Sequence, residues 1–564
     1  MWRAGQWYSI PVGPDDCSPR VFKNGGSFGR SNHRHRALNS KTRTIRSVTS
    51  CKRKKAIVNT SAPKHSRLVP CSDRSPELKS VSRHREWCLF VLGIFAIKFV
   101  LLIVDPLPKY YLGDSFSYIY TATSGWIPPD RSYFYGYVIR WLALWTVSLT
   151  PLLIVQVCLG GIVAIVAAWI CWTIFELPSW ASFLTGFACC VDPLQLFWER
   201  AVMTETMSLF FYALLLHRSL IYIKRRRISD LLLTQVLSVL LIGFRMSYLA
   251  LVLILAIALP IVAFTPLFVS GDGRQFLILR LKRFKSSREV KKAIAHCVIS
   301  IAAMLVLHHA YKVANGFLSK REPDYLYGTG FHLLSFWAPA LQPEDAIDLR
   351  LAQLIRQGDE FRIKDVYARP NQRFVAGYLI DRWCRIEPNV AKANRIAKQT
   401  ALRTLEHHPL PVALLAWQSY AEHWRPEAMK HYARLDLEMG TLTQEEVAEL
   451  ATRFHQAITS PNLAAEPLTL TKWYYVSAYR YYFVVLFLPF ISFAAMFVHG
   501  IAKRYTAVLF LNAAIQFSST FFLTVAPVVR YLQPLSFLTI LSVAAVTKGV
   551  LPRSNQPDDR QSRS

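Results

Sequence analysis

Long runs of apolar residues, repeated along the chain and almost free of charge, constrain this sequence more than any other feature. A hydrocarbon layer about 30 Å thick needs roughly 18 to 25 apolar residues per helix. Runs close to that length occupy Trp87–Val104, Pro151–Phe175, Trp180–Trp198, Met203–Ile223, Leu231–Phe244, Tyr248–Phe264, Ala293–Tyr311, Tyr481–Val498, Tyr505–Pro527 and Tyr531–Val546. They predict an all-α fold: a polytopic bundle of about ten transmembrane helices. At 52% hydrophobic and 13% aromatic residues, the chain is too apolar for a soluble protein of 564 residues.

The net charge of +30 is unevenly spread. Residues 1–86 hold 19 Lys and Arg against 5 Asp and Glu, whereas 312–472 hold 20 against 19. The positive-inside rule produces such asymmetry, so the basic arm reads as a disordered cytoplasmic tail and not as a nucleic-acid binder. Lys224-Arg225-Arg226-Arg227, the loop 266–296, Lys503-Arg504 and Lys548 all fall on the same side in that orientation.

The predicted organisation follows. A tail (1–86) precedes a bundle (87–311) with its first outer loop at 105–150, where the half-length apolar stretch Val138–Thr150 lies along the interface. An extracytoplasmic helical domain (312–472) shows helical periodicity over 390–408, 412–435 and 443–458. The C-terminal helices (473–550) begin with the aromatic run Trp473–Tyr482, read as an interface belt. A short cytoplasmic tail closes the chain (551–564). Cysteines 189 and 190 read as small core residues, and the histidines of 312–472 lack zinc-ligand spacing.

Several ionisable residues fall at one predicted level, the outer ends of the helices. They are Asp114, Asp130 with Arg131, Glu199 with Arg200, Glu205, Arg245 and Arg530, with Asp192 at the same level. Charges beside hydrocarbon are costly, which makes them functional candidates, with paired or snorkelling interfacial charges as the bland alternative. Lys98 interrupts the first span without an assigned role. Carboxylates near arginines at a membrane surface suit transfer from a lipid phosphate to a hydroxyl. A carboxylate takes the hydroxyl proton, and guanidinium meets the charge on the departing phosphate.

This pattern resembles the C-type polytopic glycosyltransferases that use lipid-phosphate sugars, the superfamily of protein O-mannosyltransferases and aminoarabinose transferases. The resemblance covers roughly residues 87–315 and 473–546. It rests on Asp114 in the first outer loop, Glu199 and Glu205 after the third span, the outer domain, and Arg530 before the last helix. It implies that Asp114 is the catalytic base, with Asp130 competing for that role and Glu199 and Glu205 alongside. Arg131, Arg200, Arg245 and Arg530 are candidates for binding substrate. No cofactor is assigned, and a divalent cation stays open.

The expected partners are a polyprenyl-phosphate-linked sugar, membrane lipid, and a glycan, lipid or protein acceptor. The rival class is a transporter or flippase, for which charges near the midplane and paired halves are the usual marks. A noncatalytic scaffold binding an envelope polymer is the third. Outward loops without glycosylation sequons, and no terminal retention signal, point to a bacterial inner membrane.

Overall fold

The computed structural model describes residues 76–265, 288–358, 365–366, 368–438, 442–456, 468–523 and 528–551. The basic arm up to residue 75, most of the basic loop 266–296 and the last residues of the C-terminal tail lie outside these. The chain separates Pro11–Glu86 from the body holding Trp87–Ser564, and the site described below belongs to the latter.

The fold is all-helical, and among the described residues no strand forms. Among the described residues seven helices are long and apolar enough to cross a membrane: His84–Val104, Thr150–Thr173, Glu205–Arg225, Met246–Phe264, Arg288–Ser319, Lys503–Phe522 and Val529–Val550. The apolar helices Ser179–Cys190 and Ile228–Phe244 are shorter. The predicted run Tyr481–Val498 is instead two short helices, Tyr479–Leu486 and Leu488–Ala495, broken where Pro489 enters the first turn of the second. Likewise Trp180–Trp198 divides at Asp192-Pro193, where the Asp192 carboxylate caps the next helix by accepting from Leu194 N at 3.0 Å.

The first loop folds back onto the bundle. Helix α1 (Pro76–Val104) is followed by α2 (Leu112–Ser124), which stops at Gly125 in the left-handed conformation, φ 79°. Ser132 caps the short α3 (Tyr133–Ile139), accepting from Phe134 N. One π-helical turn, Arg140–Leu144, then leaves Trp141 and Trp145 highly exposed within the predicted interfacial stretch. Lys109 N donates to Arg200 O (2.8 Å) and Val202 N to Lys109 O (2.9 Å), tying this loop to the 191–204 connection.

The ends of the long helices sort into two groups. Helix α7 (Glu205–Arg225) starts at the end that carries Asp114, Arg245 and Arg530, and finishes some 30 Å away by its length. At that far end Lys224 Nζ donates to Thr173 O, Lys548 Nζ to Glu176 O, and Arg226 pairs with Glu289 at 3.1 Å. The basic clusters around Lys224, Arg226 and Lys548 therefore gather at the end opposite Asp114, Glu205 and Arg530.

Described residues between 331 and 415 pack around an apolar core of their own, including Leu334, Leu351, Leu379 and Trp383. Helix Pro426–Glu438 instead joins the bundle's core through Met429, Tyr432 and Ala433. The predicted helix 412–435 is two helices, Pro409–Glu422 and Pro426–Glu438, because Pro426 has no N–H to continue the first and suits the start of the second. The aromatic run 473–482 is more than a belt: Tyr475 and Tyr482 are wholly buried, while Trp473 is exposed.

Candidate functional site: a row of ion pairs at one end of the bundle

Five of the eight candidate residues form one connected row. Arg530, in the turn that opens the last helix, donates from one terminal nitrogen to Asp114 Oδ2 at 2.7 Å and from Nε to Glu205 Oε1. Arg131 donates to the other oxygen of Asp114, so this carboxylate sits between two guanidinium groups. Glu205 Oε1 also faces Arg245 at 3.7 Å, while its Oε2 is buried without a hydrogen-bond partner.

Local sequence sets these positions. Glu205 is the first residue of α7, and Arg245 ends helix Ile228–Phe244 with extended backbone (φ −149°, ψ 108°), which turns its side chain back toward Glu205. Aromatic faces hold the cations. Arg530 lies 5.0 Å from the Tyr111 ring, Arg131 5.3 Å from Tyr118 and Arg245 5.1 Å from Tyr531.

Asp130 extends the row. It stands 3.9 Å from Arg131 and is packed against the segment that opens helix Thr329–Phe336. Tyr327 N donates to Pro129 O at 2.6 Å, and a Cβ on Gly328 would lie 3.0 Å from Asp130 Cβ. Side-chain exposures of 19% for Asp114 and 24% for Asp130 leave both within reach of a ligand.

Burial by itself would raise the Asp114 carboxyl, but Arg131 and Arg530 outweigh it and hold the group below the usual carboxylate range. Asp130 behaves in the same way, with burial opposed by Arg131, His332 and Arg373. Burial pushes His332 down to about 4, so the ring is neutral at physiological pH.

Glu199 and Arg200 stand apart from this row. Glu199 accepts from Lys98 Nζ at 2.6 Å, both side chains have 0% exposure, and Lys98 also donates to Cys190 O. Gly160 makes room for the pair, since a Cβ there would fall 1.8 Å from Glu199 Oε1. Arg200 donates to Asp105 O and Leu196 O and stands 4.0 Å from Glu199, while its Nη2 is buried without a hydrogen-bond partner. Lys98, unassigned in the sequence, thus acquires a partner: a buried ion pair that ties α1 to the 191–204 connection.

Asp436, in helix Pro426–Glu438, enters the site without having been anticipated. Its Oδ2 accepts from Tyr475 OH (2.7 Å) and from the backbone N–H of Arg530 (3.2 Å), and its Oδ1 accepts from Tyr111 OH (3.4 Å). Burial pushes its carboxyl up to about 7, against the opposing pull of Tyr475 and Arg530. A signal was present, because Met429, Tyr432, Ala433 and Asp436 share the i, i+3, i+4, i+7 spacing of one buried helix face.

Among the described residues no group of three or more His, Cys, Asp or Glu has the arrangement of a metal site. The row can bind an anion by displacing a carboxylate from an arginine, and it can accept a proton at the carboxylate so released. The seven membrane-length helices among the described residues mark a multi-pass membrane protein. Comparison with protein-family models, with curated proteins and with solved structures gives no match.

Proposed function

We propose that this chain is an inverting membrane glycosyltransferase that moves a sugar from a polyprenyl-phosphate donor to a hydroxyl of an envelope or protein acceptor at the outer face of the membrane. The observation that carries this reading is the Asp114 carboxylate held between Arg131 and Arg530 at the end of the bundle opposite the Lys224, Arg226 and Lys548 clusters. By the positive-inside rule that end faces outward, together with residues 312–472. The two shorter apolar helices and the broken stretch Tyr479–Ala495 complete about ten crossings.

A lipid phosphate whose tail stays in the bilayer is confined to this depth. Arg530 takes its oxygens, exchanging the carboxylate of Asp114 for phosphate, with Arg245 beside it. Asp114, relieved of one cation, becomes a better base. It removes the proton of the acceptor hydroxyl as that oxygen bonds to the anomeric carbon. The bond from that carbon to the phosphate oxygen breaks on the opposite side, and polyprenyl phosphate leaves as an anion met by Arg530. Asp130 is the second candidate for the base. Glu205 positions Arg530 and Arg245, and any divalent cation would have to enter through these same carboxylates.

The buried Lys98–Glu199 pair favours a second reading, a transporter or flippase for a lipid-linked substrate. Comparing lipid-linked sugars and envelope glycans from bacterial cells with and without the gene separates the two. A transferase leaves one lipid-linked sugar accumulated on the outer leaflet and a glycan unmodified. Accumulation on the inner leaflet alone would support transport and sink the transferase reading.

A further inference from the structure

From Arg245 through Glu205, Arg530, Asp114 and Arg131 to Asp130, arginine and carboxylate alternate. Asp130 packs on Gly328, just ahead of the helix that carries Phe331 and His332, and Arg373 lies against that helix with no carboxylate among the described residues within ion-pair distance. Its Nε is buried without a hydrogen-bond partner, and its guanidinium lies against the rings of Phe331 (5.5 Å) and Phe374 (5.8 Å). His332, four residues into the segment that packs on Asp130, also has a buried ring nitrogen, Nδ1, without a partner. A buried donor or acceptor left without a partner is costly unless a ligand completes it.

The geometry points to an anion-binding subsite formed by Arg373, Arg131 and His332, which takes a phosphate group of the second substrate and shares Asp130 with the catalytic row. Two guanidinium forks and a neutral imidazole N–H offer donors on several sides of a phosphate, and Asp130 neutralises the site until the ligand displaces it. In the transferase reading the donor phosphate is held at Arg530, so this subsite belongs to the acceptor and aims an acceptor hydroxyl at Asp114 or Asp130. Only the word acceptor rests on that reading. The phosphate could come from a lipid headgroup or from a soluble phosphorylated glycan.

The full chain in detergent micelles is titrated with inorganic phosphate while farnesyl phosphate saturates the Arg530 side. The wild type should keep one phosphate site. Arg373→Gln should weaken it by about 10- to 100-fold while farnesyl phosphate still binds, and Asp130→Asn, which removes the competing carboxylate, should tighten it. Equal phosphate affinity in the wild type and Arg373→Gln, or no phosphate site in the wild type, overturns the proposal. If Arg373→Gln loses farnesyl phosphate as well, Asp130→Asn decides: tighter phosphate binding supports the subsite and unchanged binding overturns it. Phosphatidylglycerol added to the micelles forms a second arm. Competition with inorganic phosphate in the wild type that is lost in Arg373→Gln identifies a headgroup, and absence of competition identifies a soluble ligand. Failure of farnesyl phosphate to bind, with the phosphate site still sensitive to Arg373, would overturn the transferase reading and leave this subsite standing.

Discussion

Asp114 and Arg530, separated by 416 positions in the chain, share a hydrogen bond of 2.7 Å. The first loop and the last helix thus meet through one carboxylate and one guanidinium, and each is held from its far side by a further charge, Arg131 and Glu205. In the proposed reaction a donor phosphate exchanges with Asp114 at Arg530.

Arg530→Lys keeps the charge but loses the fork, so it should retain partial activity. Arg530→Ala should lose most of it, with donor binding weakened by about 10- to 100-fold, since a charge-assisted hydrogen bond contributes about 1.5 to 3 kcal/mol. Titration with a short polyprenyl phosphate measures this directly. Unchanged affinity in both variants would reduce Arg530 to a structural ion pair.

The orientation predicts that single cysteines introduced in 312–472 react with an impermeant reagent from outside the cell, and those in 266–292 only after permeabilisation. Labelling of both segments from one side would remove the outward-facing site.

Lys98 and Glu199 form a buried pair, with Arg200 4.0 Å from the other carboxylate oxygen, so removing Lys98 leaves Glu199 with one more distant cation and no hydrogen-bonded one, at a cost of up to about 3 to 5 kcal/mol. Lys98→Met should therefore lower the thermal midpoint sharply, and Lys98→Met combined with Glu199→Leu should recover much of the loss. A double variant no more stable than the single one would mean that the charges do more than neutralise each other.

Asp436 makes stability depend on pH in a direction opposite to that of most carboxylates. Its folded value of about 7 lies above the ordinary 3.8, so between these pH values the folded chain holds a proton that the unfolded chain has lost. Its contribution is fully present below pH 3.8 and lost as pH rises toward and through 7. Asp436→Asn should flatten this part of the stability profile between pH 5 and 8, read as thermal midpoint against pH. A wild-type midpoint that rises over this range, with no difference in the variant, would contradict the assignment.

The membrane helices were legible because lipid imposes both length and composition, and most of the row was legible because charge beside hydrocarbon is rare. The sequence did not reveal which charges meet. Glu199 and Glu205 lie six residues apart and share a predicted level, yet a helical turn and the connection after Asp192 send one into a sealed pair with Lys98 and the other toward Arg530. Asp436 was hidden because a helix read as part of a separate outer domain packs into the bundle, and only the acid's place on its apolar face betrays this. Arg373 sits in the single turn Asn371–Phe374, where no periodicity could indicate its neighbours.

Transfer itself is the most direct test. Purified protein, given a polyprenyl-phosphate sugar and an extract of envelope acceptors, should release one polyprenyl phosphate for each sugar transferred. Asp114→Asn should bind the donor at least as well as the wild type, because Arg530 is then freed, yet turn over slower by a factor of about 100 to 10,000. Wild-type turnover in Asp114→Asn, with the loss appearing in Asp130→Asn, would move the base to Asp130. No release of polyprenyl phosphate by the wild type would contradict the transferase account.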